Sequence, residues 1–140
     1  MTNAAPSSVA ACNSTSLPEV STDSANWFFQ FLPTSRTIRG ATFGASTYLL
    51  VGDDGRILTS TNAGAWDLET SGTSFDLIDV VFAEDQFVAV GEEGTISTSV
   101  DGITWSTERG RGSMSASLSG ISFSNTATVV VGVEGTAMFK

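Results

Sequence analysis

The chain reads as an all-β protein assembled from β-propeller blades: about three four-stranded antiparallel blades, one of them split between the termini. Three observations predict this. Tryptophans stand at 27, 66 and 105, two steps of 39 residues. The segments 51–55, 90–94 and 131–135 share a Val-Gly start and an acid-Gly end, and recur at 39 and then 41 residues. An aromatic precedes each segment, at Phe43, Phe82 and Phe123, with the same two steps. Independent landmarks with one period mark a repeat, and four strands in about 40 residues is the size of one blade.

The elements follow in order. Residues 1–20 lie outside the repeat, are poor in large apolar side chains, and read as a flexible tail. Residues 21–140 carry the repeats: an outer strand in 21–36, blades at 37–76 and 77–117, and the first three strands of a split blade at 118–140. In the second full blade, residues 77–82 and 87–90 are β-rich, Glu93-Gly94 supplies a tight turn, and 95–99 forms a third strand. Acid-Gly pairs supply the positive φ that such hairpins require. An Asp101-Gly102 turn and a strand opening at Trp105 complete the unit.

The last repeat stops where a fourth strand should begin, since Lys140 aligns with Ser60 and Ser99. The segment 27–32 reads as that missing strand, with Trp27, Phe29 and Phe31 on one face and Phe28, Gln30 and Leu32 on the other. Three blades are too few for a ring. The expectation is therefore that Trp27, Phe28, Phe29 and Phe31 form an assembly strand that completes the blade of another chain. A homodimer would give six blades. A higher oligomer, or packing on other protein subunits, are the alternatives.

Composition narrows function. Apolar residues make up 41% of the chain and charged residues 15%, which argues for a packed domain. A net charge of −9 repels phosphate backbones, so nucleic acid is not an expected partner. No apolar run is long enough to be a transmembrane segment. Histidine is absent, and cysteine and tyrosine occur once each, at Cys12 and Tyr48. No phosphate-binding loop or zinc-ligand spacing is present, so neither an enzyme nor a cofactor or metal is expected.

The turns before the tryptophans carry a family resemblance. The segment Ser99-Val100-Asp101-Gly102-Ile103-Thr104-Trp105 resembles a shortened Asp-box, the S-x-D-x-G-x-x-W hairpin of bacterial neuraminidase repeats. Ser60, Asn62 and Trp66 form a second copy with Asn for Asp, and Ser21, Asp23 and Trp27 a third without the glycine. Together with the Val-Gly hairpins, the chain resembles the photosystem II stability/assembly-factor-like propellers of that superfamily. The resemblance covers about residues 21–140. It implies a non-catalytic, protein-binding or structural subunit, with an extracytoplasmic location in a bacterium. A sugar-binding propeller lectin is the alternative reading. The segment Val9-Ala10-Ala11-Cys12 resembles a lipobox, but the residues before it supply neither basic charge nor a long apolar run.

Two groups of residues are candidate binding sites. Asp54, Glu93 and Glu134 hold one acidic turn position in all three copies and would line an acidic crown on one face. Arg36, Arg109 and Arg111 lie in loops expected on that same face, the last two in a loop two residues longer than its counterpart. The Asp-box residues are expected to be structural, because an Asp or Asn at the start of a tight turn accepts backbone N–H groups.

Overall fold

The computed structural model describes residues 8–10, 19–21, 27–109 and 116–140. Four antiparallel sheets succeed one another along the chain. The first joins β1 (Ser8–Ala10), β2 (Glu19–Ser21) and β3 (Trp27–Phe29). The second joins β4 (Ile38–Gly44), β5 (Thr47–Gly52), β6 (Ile57–Ser60) and β7 (Asp67–Glu69). The third joins β8 (Leu77–Ala83), β9 (Gln86–Gly91), β10 (Thr95–Ser99) and β11 (Ser106–Arg109). The fourth joins β12 (Leu118–Phe123), β13 (Thr128–Gly132) and β14 (Ala137–Phe139). Strands lie side by side in sequence order, as short hairpin connections dictate. These are β-propeller blades, two of them complete. Among the described residues no helix is long and apolar enough to cross a membrane.

The N-terminal region differs from the sequence expectation in three ways. Ser8–Ala10 and Glu19–Ser21 are strands, although residues 1–20 read from sequence as a tail and Ser21 as the opening of the outer segment. Moving the starts of β5 and the end of β6 back by 39 residues lands on them, which makes them the second and third strands of a preceding blade. Trp27–Phe29 is a fourth strand, as expected, but it pairs with β2 of its own chain, Ser21 opposite Trp27 and Glu19 opposite Phe29. It also ends at Phe29 rather than Leu32. Gln30 leaves the ladder because both ends of its amide bind the next blade: Nε2 donates to the Gly64 carbonyl and Oε1 accepts from Trp66 Nε1, each at 3.0 Å. Leu32 then turns inward onto Ile38, Leu50 and Leu58.

The inner strands β4, β8 and β12 share one irregularity. Their register against the second strand slips between Ile38 and Gly40, between Leu77 and Asp79, and between Leu118 and Gly120. A bulge of this kind bends and twists a strand locally. Its recurrence at one repeat position gives all three inner strands the same bend. At the middle copy the bulge presents Asp79, whose Oδ1 accepts from Val80 N at 2.9 Å and whose Oδ2 accepts from Ile121 N at 3.0 Å. One carboxylate thereby ties the inner strands of adjacent blades.

The core lies between blades. Leu49, Val51 and Ile57 of the second sheet meet Leu77, Val80, Phe87 and Ala89 of the third, with Phe82 and Trp105 packed alongside. Gly44 permits this contact, since a Cβ there would overlap the Phe82 ring. The next interface sets Val90, with Val81, Val88 and Ile96, against Leu118, Ile121, Val130 and Met138.

Candidate functional site

The three Val-Gly hairpins build one face. At Gly52, Gly91 and Gly132 a Cβ would collide with the carbonyl oxygens of Thr37, Asp76 and Ser117. That close approach lets the next residue dock: Asp53, Glu92 and Val133 donate their N–H to those carbonyls at 2.9, 3.0 and 3.0 Å. The hairpin tip is thereby pinned to the loop that enters the blade. Asp54, Glu93 and Glu134 follow with φ of 56°, 54° and 57°, and Gly55, Gly94 and Gly135 with 68°, 66° and 72°. Two successive left-handed residues match the twist of a tight hairpin.

Pinning tip to loop brings charges together. Arg36 Nε lies 2.7 Å from Asp54 Oδ2, both side chains being largely exposed. Arg39 donates to Asp53 and reaches Asp76, just before the first strand of the following blade, at 3.9 Å. The hydrogen bond to Asp53 raises the Arg39 pKa, against an opposing effect of burial. Asp76 also accepts from Asp54 N at 2.8 Å and donates its own N–H to Glu92 at 3.5 Å. The face is thus a network in which carboxylates outnumber arginines. Arg39 was not singled out from sequence. Its signal was positional, since Ile38 pairs with Gly52 and so sets the next residue beside the acidic tip. Arg109 ends β11; Arg111 lies outside the described residues.

The tryptophan turns are made by side-chain acceptors. Asp101 Oδ1 accepts from Ile103 N and Thr104 N, each at 2.8 Å, and from Ser99 Oγ at 3.0 Å. Asn62 Oδ1 accepts from Gly64 N, Ala65 N and Ser60 Oγ at 2.8, 2.9 and 3.1 Å. An uncharged amide thus makes the same bonds as the carboxylate. Donation from Thr104 N and then Ile103 N holds the Asp101 carboxyl below the usual aspartate range. Trp105 Nε1 donates to the Gly102 carbonyl at 2.8 Å and its ring lies 6.5 Å from that of Phe87. Trp66 packs against Leu32, Ile38, Leu50 and Leu58. Ser21 and Trp27 lie in paired strands; Asp23 and Cys12 lie outside the described residues.

Two clefts separate blades. A polar one of about 240 Å³ is lined by Thr47, Thr59, Asn62, Asp67, Glu69 and Asp101. A larger, mostly apolar one of about 550 Å³ lies between the third and fourth sheets. Among the described residues no three Asp, Glu, His or Cys side chains group as metal ligands would.

No protein-family model matches the chain, and no curated protein matches it. Solved structures do. One is YCF48 from Cyanidioschyzon merolae, with a TM-score of 0.73 at 18% identity over 99% of this chain and 51% of that one. A second is a catalytically inactive virginiamycin B lyase from Staphylococcus aureus with quinupristin, at 0.65 and 12% identity over 94% and 55%. A third is YCF48 bound to D1 peptide, at 0.60 and 13% identity over 91% and 46%. Likeness at these identities is a likeness of fold: the chain is a β-propeller resembling YCF48. It spans about half the length of these structures.

Proposed function

We propose that this chain is a non-catalytic β-propeller scaffold of the Asp-box superfamily that binds protein partners, and that the hairpin-tip face is where a basic partner segment docks. One observation carries the reading. Asp54, Glu93 and Glu134 occupy a left-handed backbone position in three successive blades. Glycine or asparagine fits that conformation with less strain, so three acids there point to a use for their charge. Complementary charge steers association and orients a partner. The similar YCF48 structure bound to a peptide supports a protein ligand. The chemistry of the chain points away from catalysis, with no imidazole, one tyrosine buried in β5, and Asp101 and Asn62 engaged in building turns. An extracytoplasmic location and closure of the ring with a second copy belong to the same proposal.

The test is co-purification from the native source read by mass spectrometry, with wild type beside the triple variant Asp54→Asn, Glu93→Asn, Glu134→Asn. The expected result is a protein partner that the wild type retains and the triple variant loses at moderate salt. A homo-oligomer with no partner, or capture indifferent to the three substitutions, would overturn it.

A further inference from the structure

We infer that the polar cleft between the second and third blades is a seat for the guanidinium of one arginine side chain of a partner protein. The inference rests on the scaffold reading only in drawing that cation from a protein. The site itself is a different one. The hairpin tips join β5 to β6, whereas this cleft lies at the turn from β6 to β7, the other end of β6.

The preceding blade boundary shows what the equivalent place holds when it is filled. There Gln30 bridges β3 and the turn of the second blade, Nε2 donating to the Gly64 carbonyl and Oε1 accepting from Trp66 Nε1. Advancing Gln30, Gly64 and Trp66 by 39 residues gives Glu69, Ile103 and Trp105. Glu69 and Ile103 both line the cleft. The bridge is not made again. A carboxylate has no N–H to donate to a carbonyl, and Glu69 Oε1 instead accepts from Thr59 Oγ1 of its own sheet at 2.8 Å. Trp105 Nε1 donates to the Gly102 carbonyl of its own turn. With neither half of the bridge in place, about 240 Å³ stays open at the polar edge of an interface whose apolar interior is packed.

The lining decides what fits. Asp67, Glu69 and Asp101 bring three carboxylates to the cleft, and no lysine or arginine lines it. The bonds that build the Asp101 turn all end on Oδ1, so Oδ2 is not used in making the turn. Asp67 and Asp101 are exposed, which leaves their charge within reach of an approaching cation. The occupant that matches is planar and rich in N–H donors, as the Gln30 amide is, and also positive. A guanidinium has all three properties, with its donors in a fixed fork that suits carboxylates. An ammonium carries the charge without the plane, and an acidic group would be repelled.

The test is titration of the 140-residue protein with N-acetyl-arginine amide, read by backbone amide NMR shifts. The matching citrulline compound, which keeps the shape and loses the charge, is the control. Saturable shifts at Thr59, Glu69 and Ile103 are expected for arginine, with citrulline at least about tenfold weaker. Glu69→Gln should rebuild the Gln30 type of bridge to the Ile103 carbonyl. Arginine binding should then fall at least about tenfold, while Tm stays equal or rises. Asp67→Asn should weaken binding by a smaller factor, about two- to fivefold. The triple variant of the hairpin tips should bind the probe as wild type does, which separates the two sites. No saturable shifts at these residues, equal binding of citrulline, or indifference to Glu69→Gln would overturn the cleft while leaving the hairpin-tip reading intact. Saturation by N-acetylglucosamine with no response to arginine would overturn the choice of a basic side chain in favour of a sugar.

Discussion

The interface between the second and third blades and the one between the third and fourth are built from the same repeat, yet only the first is filled. Phe87 is fully buried in the filled interface, and Trp105, Phe82 and the small Ala89 pack around or beside it. One step along, threonine replaces the phenylalanine and the space stays open. The difference teaches that a blade's inner strands can dock through backbone and bulge at both interfaces, while Phe87 and Trp105 fill the outer half of one of them.

The sharpest way to break this comparison is to empty the filled interface. Phe87→Ala removes a buried ring packed by Phe82 at 4.8 Å and by Trp105. It should cost about 3–5 kcal/mol in urea unfolding, the range for large-to-small core changes of aromatics. Thr128→Ala, at the equivalent position beside the open cleft, should cost less than about 1 kcal/mol. Equal costs would mean that the two interfaces do not differ in packing.

Next in size is the tie that the open interface does possess. Asp79→Ala leaves Val80 N and Ile121 N without their carboxylate, and bonds to a charged group are worth about 1.5–3 kcal/mol. The expected result is a loss of about 2 kcal/mol together with faster amide hydrogen exchange at Ile121. Exchange unchanged at Ile121 would show that apolar contact alone holds these inner strands.

A smaller effect is expected at the entrance to the second blade. Gln30→Ala removes the amide that joins Trp66 to the Gly64 carbonyl across the blade boundary. A loss of about 1 kcal/mol should follow, with Trp66 becoming more exposed to an added fluorescence quencher. Unaltered quenching would place the packing of Trp66 wholly on Leu32 and its apolar neighbours.

Much of this was legible because a repeat makes its own alignment. The strands read at 77–82 and 95–99, the acid-Gly tips and the turn-building part of Asp101 and Asn62 follow from local chemistry that the repeat presents more than once. What escaped was either short or non-local. Ser8–Ala10 and Glu19–Ser21 lack a β-rich run, and only counting back by 39 residues would have found them. Gln30 looked like the polar member of an apolar strand, yet both its partners lie 34 and 36 residues away. Asp79 matters through Ile121 in the next blade, and Arg39 through Asp53 on the adjoining hairpin tip and Asp76 beyond it, relations that strand patterns do not encode. The open cleft was hidden for the same reason: a threonine at 128 says little until it is set opposite Phe87.

The smallest effect separates the two tryptophan turns by pH. The Asp101 carboxylate accepts two backbone N–H groups, so its pKa in the folded protein lies below the ordinary aspartate value of 3.8. A folded pKa that is depressed contributes stability in full above the unfolded value, and that contribution is lost as pH falls through the folded one. The filled interface, which this turn adjoins closely enough that a Cβ on Gly102 would meet Leu49 and Phe87, should therefore loosen in acid. The Asn62 turn has no proton to take up and should hold. Asp101→Asn should flatten the part of the acid dependence that begins just below 3.8, while leaving the turn intact at neutral pH. The check is the urea midpoint of wild type and variant at neutral pH and at about pH 3. A variant as acid-sensitive as wild type would show that the Asp101 carboxylate is not the source of that dependence.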